Sequence, residues 1–318
     1  MRHFLDFEKP LADIHEQIEK LRGATDSDSD ANNKEMERLT KKAHSIEADI
    51  YKKLSPWQQT QVARHPERPS MLEYVEKFVE GFIEMHGDRA FRDDPAIVGG
   101  IGRIGAREVV VIGNQKGRTL KTRVERNFGM ANPEGYRKAL RLMKFAERFN
   151  KPIVCFVDTP GAYPGMGAEE RGQSEAIATN LLEMSRLKVP VLIIIIGEGG
   201  SGGALAVGVG DRILMLEHSV YSVISPEGCA AILWKDGAKA ATAAEALKIT
   251  AKNLLELGII DEIIPEPQGG SHHDSHKMST TIRDVIVRHL DELEAMPEPE
   301  RTEARYQKFR TMGQYTEG

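Results

Sequence analysis

The sequence predicts a layered α/β fold in which nearly continuous apolar strands are covered by helices on both faces. Three observations carry this. The runs KPIVCFVDTPG (151–161) and KVPVLIIIIGEGG (188–200) are apolar without alternation, as strands buried on both sides require. Helical patterns, EGYRKALRLMKFAERF and AEERGQSEAIATNLLEMSRL, precede and separate them. Short strand pairs recur as well, AIVGGIGRI with EVVVIGNQKG and RILMLE with VYSVIS, so each unit reads as strand, strand, helix and the units stack as ββα turns.

Taken in order, residues 11–54 read as two helices, LADIHEQIEKLRG and KEMERLTKKAHSIEADIYKKL, around the polar break GATDSDSDANN. Such a helical arm either packs on its own core or grips another subunit. A helix is expected through MLEYVEKFVEGFIEMHG (71–87), then a β-hairpin turning at Gly105 to Arg107. After a basic loop come the two apolar strands with their helices, the second strand pair, the helix PEGCAAILW, and Ala-rich and Leu-rich helices to about Gly258. The polar linker PEPQGGSHHDSH leads to one amphipathic helix, IRDVIVRHLDELEAM, and a charged tail. The expected division is a helical arm over 1–70, a core domain over 71–290 and a tail over 291–318.

Composition excludes several classes. The chain has 318 residues, net charge -5 and pI near 6.1, without the basic surplus of a nucleic-acid binder. Its longest apolar run, Val191 to Ile196, is far short of the ~20 residues of a membrane helix, and the charged start MRHFLDFEKP does not read as a signal peptide. A cytoplasmic protein is expected. Cys155 and Cys229, its two cysteines, cannot build a disulfide framework or a four-cysteine zinc site, so no metal is expected in this chain.

The segment VPVLIIIIGEGGSGGALAVGVG (189–210) concentrates the chemistry, and four readings compete for it. Gly197, Gly199 and Gly202 fit the dinucleotide fingerprint, with Glu217 as ribose acid about twenty residues on; this would make an oxidoreductase. Gly199, Ser201 and Gly203 fit the nucleophile elbow of a serine hydrolase, although His218 follows closely and His272, His273 and His276 lie in the polar linker. Small residues could merely allow close packing, which suits Gly208 and Gly210. Finally, backbone N–H groups at Gly202 and Gly203 could form an oxyanion hole. A phosphate-binding P-loop is excluded, because no Lys-Ser or Lys-Thr closes the loop.

DTPGAYPGMGAEERGQ (158–173) repeats the strand, glycine turn, helix pattern, with Glu169 and Glu170 in the first helical turn, and could face the first loop. In ISPEGCAAILW, Ser225 reads as N-cap, Pro226 as the first helical residue and Glu227 as structural. The basic loop NQKGRTLKTRVERNFGM holds Lys116, Arg118, Lys121, Arg123 and Arg126. It is either a solvated face or a surface for a polyanion such as the CoA phosphates, or for an acidic partner.

The strings ARHPERP, AIVGGIGRI, NQKGR, RNFGMANPEGYRKALRLM, DTPGAYPG, AEERGQSEAIA, GEGGSGGALAVGVGD, YSVISPEGCAAILW and IIPEPQGG closely resemble the alpha-subunit family of bacterial acetyl-CoA carboxylase carboxyltransferases, over roughly residues 1–270. The polar break and the tail carry no such match. The resemblance implies a ClpP/crotonase-like fold of stacked ββα units with an N-terminal helical arm. It implies that carboxybiotin on a biotin carboxyl carrier protein gives its carboxyl group to acetyl-CoA, forming malonyl-CoA for fatty acid biosynthesis. Gly202 and Gly203 would hold the biotin ureido oxygen with backbone N–H groups, supported by Gly199, Gly200, Ser201, Gly161 and Ala162, while Lys116, Arg118 and Arg126 would contact substrate. The implied partners are a beta subunit in an alpha2-beta2 assembly, which carries the zinc and the glycine pair for the acetyl-CoA enolate, the carrier protein, and biotin carboxylase within the larger complex. Alone, such a chain would be inactive.

Overall fold

A computed structural model describes residues 3–23 and 30–313. The arm is a helical hairpin with its own core. α1 (Lys9–Arg22) places Leu11, Ile14 and Ile18 on one face by 3–4 spacing, and they pack on Leu39 and Ala43 of α2 (Asp30–Tyr51). Most of the polar break between the helices, residues 24–29, lies outside the described residues. α3 (Pro56–Ala63), capped by Ser55 in a capping box, and α4 (Met71–Phe78) lead into the core.

The helix expected through residue 87 stops at Phe78, and β1 (Glu80–Glu84) follows. Gly81 takes a left-handed φ of 60°, which breaks the helix. Gly100 and Gly102 on the next strand then leave room for β1, since an added Cβ on Gly100 would strike the Ile83 backbone and one on Gly102 the Val79 side chain, tight against the β1 backbone at 3.3 Å. β2 (Ile97–Ile104) and β3 (Arg107–Asn114) form the expected hairpin, in register from Ile97 opposite Asn114 to Ile104 opposite Arg107. α5 (Leu120–Glu125) and α6 (Pro133–Arg148) follow, then β4 (Ile153–Thr159), α7 (Met166–Glu170), α8 (Gln173–Arg186), β5 (Val191–Gly200) and α9 (Ser201–Leu205). β6 (Arg212–Leu216), β7 (Val220–Ser222), α10 (Pro226–Trp234), α11 (Ala240–Leu247), α12 (Ala251–Glu256) and β8 (Glu262–Ile264) complete the sheet, in the order β1-β2-β3-β4-β5-β6-β8, with β7 paired to the end of β5.

The unbroken apolar texture of β4 and β5 has a direct cause. Ile153, Cys155, Val157, Ile193 and Ile195 face the helices that carry Tyr136, Leu142, Met143 and Met184. Val154, Phe156, Leu192, Ile194 and Ile196 face Met71, Tyr74, Phe78 and the residues Met278, Ile282 and Ile286 of α13 (Ser275–Ala295). Both faces of each strand are buried, as a parallel sheet covered on two sides demands.

Within the segment expected as a charged tail, the described residues include a further helix. α14 (Glu298–Arg310) turns back onto the core, where Arg305, 1% exposed, grips Asp211 at 2.8 and 2.7 Å and donates to the carbonyls of Met184, Leu187 and Val189. Asp211 in turn accepts the Val191 N–H, so this tail is tied to the start of β5. No described helix is long and apolar enough to cross a membrane.

Candidate active site at the paired glycine loops

The parallel strands β4 and β5 end side by side. Val157 lies opposite Ile195, but Thr159 lies opposite Gly199, so four steps of β5 cover what two steps of β4 cover. This bulge is filled and bonded. Asp158 Oδ1 accepts the Glu198 N–H at 3.0 Å, and the space beside Gly197 is occupied by the same carboxylate. The Ile196 carbonyl accepts from Arg68 Nε at 2.7 Å. Beyond the bulge β5 keeps its pairing with β4 at Gly199, while on its other side β7 takes the place of β6, pairing Glu198 with Val220, Gly199 with Tyr221 and Gly200 with Ser222. The glycine segment, expected as a loop, is therefore strand through Gly200, and the turn into α9 is made by Ser201 at φ 51°.

Each glycine here has a distinct reason. A Cβ on Gly199 would press on the Tyr221 ring at 2.7 Å, and one on Gly200 would strike the Pro160 backbone. A Cβ on Gly203 would collide with the Gly161–Ala162 peptide, 2.6 Å from the Gly161 oxygen and 2.7 Å from the Ala162 nitrogen. One on Gly202 would meet only Ile177 Cδ1 at 3.4 Å, an ordinary contact. Neither Gly202 nor Gly203 has a left-handed φ, so backbone approach, not strain, explains Gly203. The facing turn is fixed by Thr159, whose Oγ1 accepts the Gly161 N–H at 3.1 Å and donates to the Gly161 carbonyl at 2.7 Å. The N–H groups of Gly202 and Gly203 fall in the first turn of α9, with no helical carbonyl behind them to bond. α9 is only five residues long, so it is these individual donors, rather than a long helix dipole, that a ligand oxygen would meet.

Beneath the loops lies a chain of charges. Lys116 Nζ sits 2.7 Å from Asp158 and 2.8 Å from Glu198. Arg64 Nε meets Glu198 at 2.6 Å, and its terminal nitrogen meets Glu227 at 2.5 Å. Burial alone would raise the Glu198 pKa, but Lys116 and Arg64 outweigh it and hold the carboxyl at about 2. Burial likewise opposes the Lys116 charge, and the two carboxylates outweigh it, raising the ammonium above its ordinary range. Arg68, deeper still, is clamped on Glu266 at 2.6 Å and Ser219 at 3.1 Å.

Of the cations expected to contact substrate, Lys116 does reach the loops, but it bridges carboxylates. Arg118 is exposed, pairs with Glu73 and donates to the Pro66 carbonyl at 2.7 Å. Arg126 donates to the Pro95 carbonyl at 2.6 Å. A cavity of about 260 Å³ beside Lys116 is lined by Arg64, Arg118, Arg123 and Phe128. A larger one, about 730 Å³, opens beside Ser201 among Leu205, Tyr221, Val223, Leu257 and Phe309. Asp158, Glu198, Arg64 and Arg68 carry no role in the sequence reading. The available signal was an acid standing at the end of each otherwise apolar strand.

The competing readings lose their geometry. Gly197 and Gly199 lie inside a strand, and the Glu217 carboxylate accepts the Glu266 N–H, so no dinucleotide loop and ribose acid are formed. Ser201 is exposed, but the histidines are engaged elsewhere. His218 is buried against Tyr51, His272 stacks on His65 at 3.8 Å, His273 pairs with Glu47 at 3.0 Å, and His276 lies in the first turn of α13. Among the described residues no three metal-type side chains converge. Ser225 caps α10 by accepting the Gly228 N–H, and Glu227 serves the Arg64 ion pair.

Comparison with known proteins identifies the family and the fold. A family described as "Acetyl co-enzyme A carboxylase carboxyltransferase-like" matches residues 4–313. The chain is 56% identical to the acetyl-coenzyme A carboxylase carboxyl transferase subunit alpha of Xanthomonas axonopodis pv. citri, over 98% of both chains. It is 54% identical to the subunit of that name from Methylococcus capsulatus, over 99% of this chain and 98% of the relative. Among solved structures, the beta subunit of Pseudomonas aeruginosa geranyl-CoA carboxylase matches 77% of this chain and 46% of its own with TM-score 0.55 and 19% identity. Transcarboxylase 12S matches 66% and 40% with TM-score 0.53 and 21% identity. At these identities the two structures show the shared crotonase-like carboxyltransferase fold.

Proposed function

Because the chain belongs to the family of acetyl-CoA carboxylase carboxyltransferase alpha subunits, we propose that its paired glycine loops form the biotin half of a carboxyltransferase site that makes malonyl-CoA. The observation that carries this reading is Gly203 seated directly on the Gly161–Ala162 peptide, with the N–H groups of Gly202 and Gly203 at the start of a helix. The cradle suits the flat ureido group of biotin. It offers backbone donors in a space that a side chain would fill, beside an apolar cavity of about 730 Å³. Carboxybiotin, when bound, supplies the carboxyl group and then a ureido nitrogen able to accept the acetyl methyl proton. This chain's part is to donate Gly202 and Gly203 N–H groups to the ureido oxygen where negative charge develops, and to hold those donors still. Ser201 acts as a spacer. Gly199 and Gly200 keep the strand close to Tyr221 and Pro160, and Gly161 and Ala162 form the facing wall.

The remaining parts of the reading concern partners. Leu205, Val223 and Leu257 are 39%, 74% and 48% exposed beside the loop, an apolar face suited to being covered by the beta subunit. That subunit would bind the acetyl-CoA enolate and carry the zinc, in an alpha2-beta2 assembly served by the biotin carboxyl carrier protein and biotin carboxylase in the cytoplasm. Among the three cations expected to meet CoA, Arg118 is the most accessible for a phosphate, because Lys116 would first have to leave two carboxylates. The test is reconstitution. Decarboxylation of malonyl-CoA onto free biotin should require this chain and the beta subunit together, and full activity from either alone would exclude a shared site.

A further inference from the structure

We propose that Lys116 is a positioning residue for carboxyl transfer: its ammonium ties Asp158 at the end of β4 to Glu198 at the end of β5 and so fixes the spacing of the two glycine loops. The inference rests on the reading of those loops given above. Three features support it. First, the loops touch backbone to backbone at Gly200 on Pro160 and Gly203 on Gly161, so their separation has no soft side chain to absorb error. Second, the bulge that sets the register between the ends of β4 and β5 is filled by Asp158, which accepts the Glu198 N–H. Third, two carboxylates stand at this bulge, and Lys116 is the cation common to both. Arg64 reaches only Glu198, continuing the chain of charges to Glu227 in the first turn of α10. Without Lys116 the two acids would face each other across the bulge and push the strands apart.

Lys116 touches neither the Gly202 nor the Gly203 donors; it acts through the strands that carry them. An error of about 1 Å in a catalytic array costs on the order of 100-fold in rate. In the complex with the beta subunit, Lys116→Met should therefore lower kcat for malonyl-CoA decarboxylation onto biotin by about 10-fold to 100-fold, leaving the KM for malonyl-CoA within about twofold. Lys116→Arg, which keeps the charge, should recover most of the loss. The decisive readout is pH. The ratio of Lys116→Met to parent kcat should rise as pH is lowered from about 8 to about 6, as a proton on one of the uncompensated acids relieves their repulsion. The double variant Lys116→Met with Glu198→Gln should flatten that ratio, whereas a generally weakened fold would not. Should Lys116→Met fail to fold, the near-isosteric Asp158→Asn removes one anchor of the same bridge and should lower kcat severalfold with unchanged KM. Parent-like kcat with a flat pH ratio in Lys116→Met, or parent-like kcat in Asp158→Asn, overturns the proposal. An inactive parent complex would instead condemn the reading of the glycine loops.

Discussion

Gly203→Ala places a methyl group where the structure has none to spare. Its Cβ would stand 2.6 Å from the Gly161 oxygen and 2.7 Å from the Ala162 nitrogen, and both neighbours are backbone. Relief to ordinary contact near 3.4 Å requires the two loops to part by roughly 1 Å, the scale of misplacement that costs about 100-fold in rate. The accompanying overpacking should cost about 1–3 kcal/mol of stability, which a domain of this size tolerates. Gly202→Ala supplies the control, since its Cβ meets Ile177 Cδ1 at an ordinary 3.4 Å, and activity should fall no more than a few-fold. Both variants would be assayed with the beta subunit for malonyl-CoA decarboxylation onto biotin, with thermal melting to count folded protein. A Gly203→Ala enzyme of normal activity beside a dead Gly202→Ala enzyme would refute the claim that Gly203 holds the loops in place.

Ser201→Ala should retain activity within about threefold, because an exposed serine at a turn is assigned no bond-making role; a dead variant would restore the nucleophile reading. Arg305→Ala leaves Asp211 buried without its charge partner and should destabilise the protein by about 3–5 kcal/mol in urea titration, and an unchanged midpoint would contradict the docking of α14. His65 is 4% exposed, and burial lowers its pKa to about 4, with Nε2 placed 3.2 Å from the His3 carbonyl. The folded state binds this proton less readily than the unfolded chain, so the stability it contributes is complete above about pH 6.5 and is lost as pH falls toward about 4. Melting temperatures of the parent and His65→Asn should therefore converge over that window, and a constant difference would show that the ring is not held neutral.

The sheet was legible because β4 and β5 are buried on both faces, which leaves a signature no amphipathic element shares. β1 was not, since the apolar spacing of MLEYVEKFVEGFIEMHG serves a helix until Gly81 turns left-handed and Gly100 and Gly102 admit a strand. α14 was hidden for another reason. Arg305 looks like any surface arginine until Asp211, 94 residues earlier, is found beside it. The same limit applies at the site. The glycine strings announce close backbone approach, but Lys116 and Glu198 are 82 residues apart, and a basic loop in sequence does not reveal that one of its lysines points inward. Nor did sequence distinguish Gly203, which has no room for a side chain, from Gly202, which has some.

That backbone donors of this chain hold the biotin ureido oxygen is tested most directly by following the amide signals of a 15N-glycine-labelled chain, in complex with the beta subunit, during titration with free biotin. The Gly202 and Gly203 amide protons should move downfield with a common saturation curve, and in Gly203→Ala the remaining Gly202 signal should stop moving. Saturation of the complex with biotin while both amides stay unmoved would place biotin elsewhere and contradict the assignment.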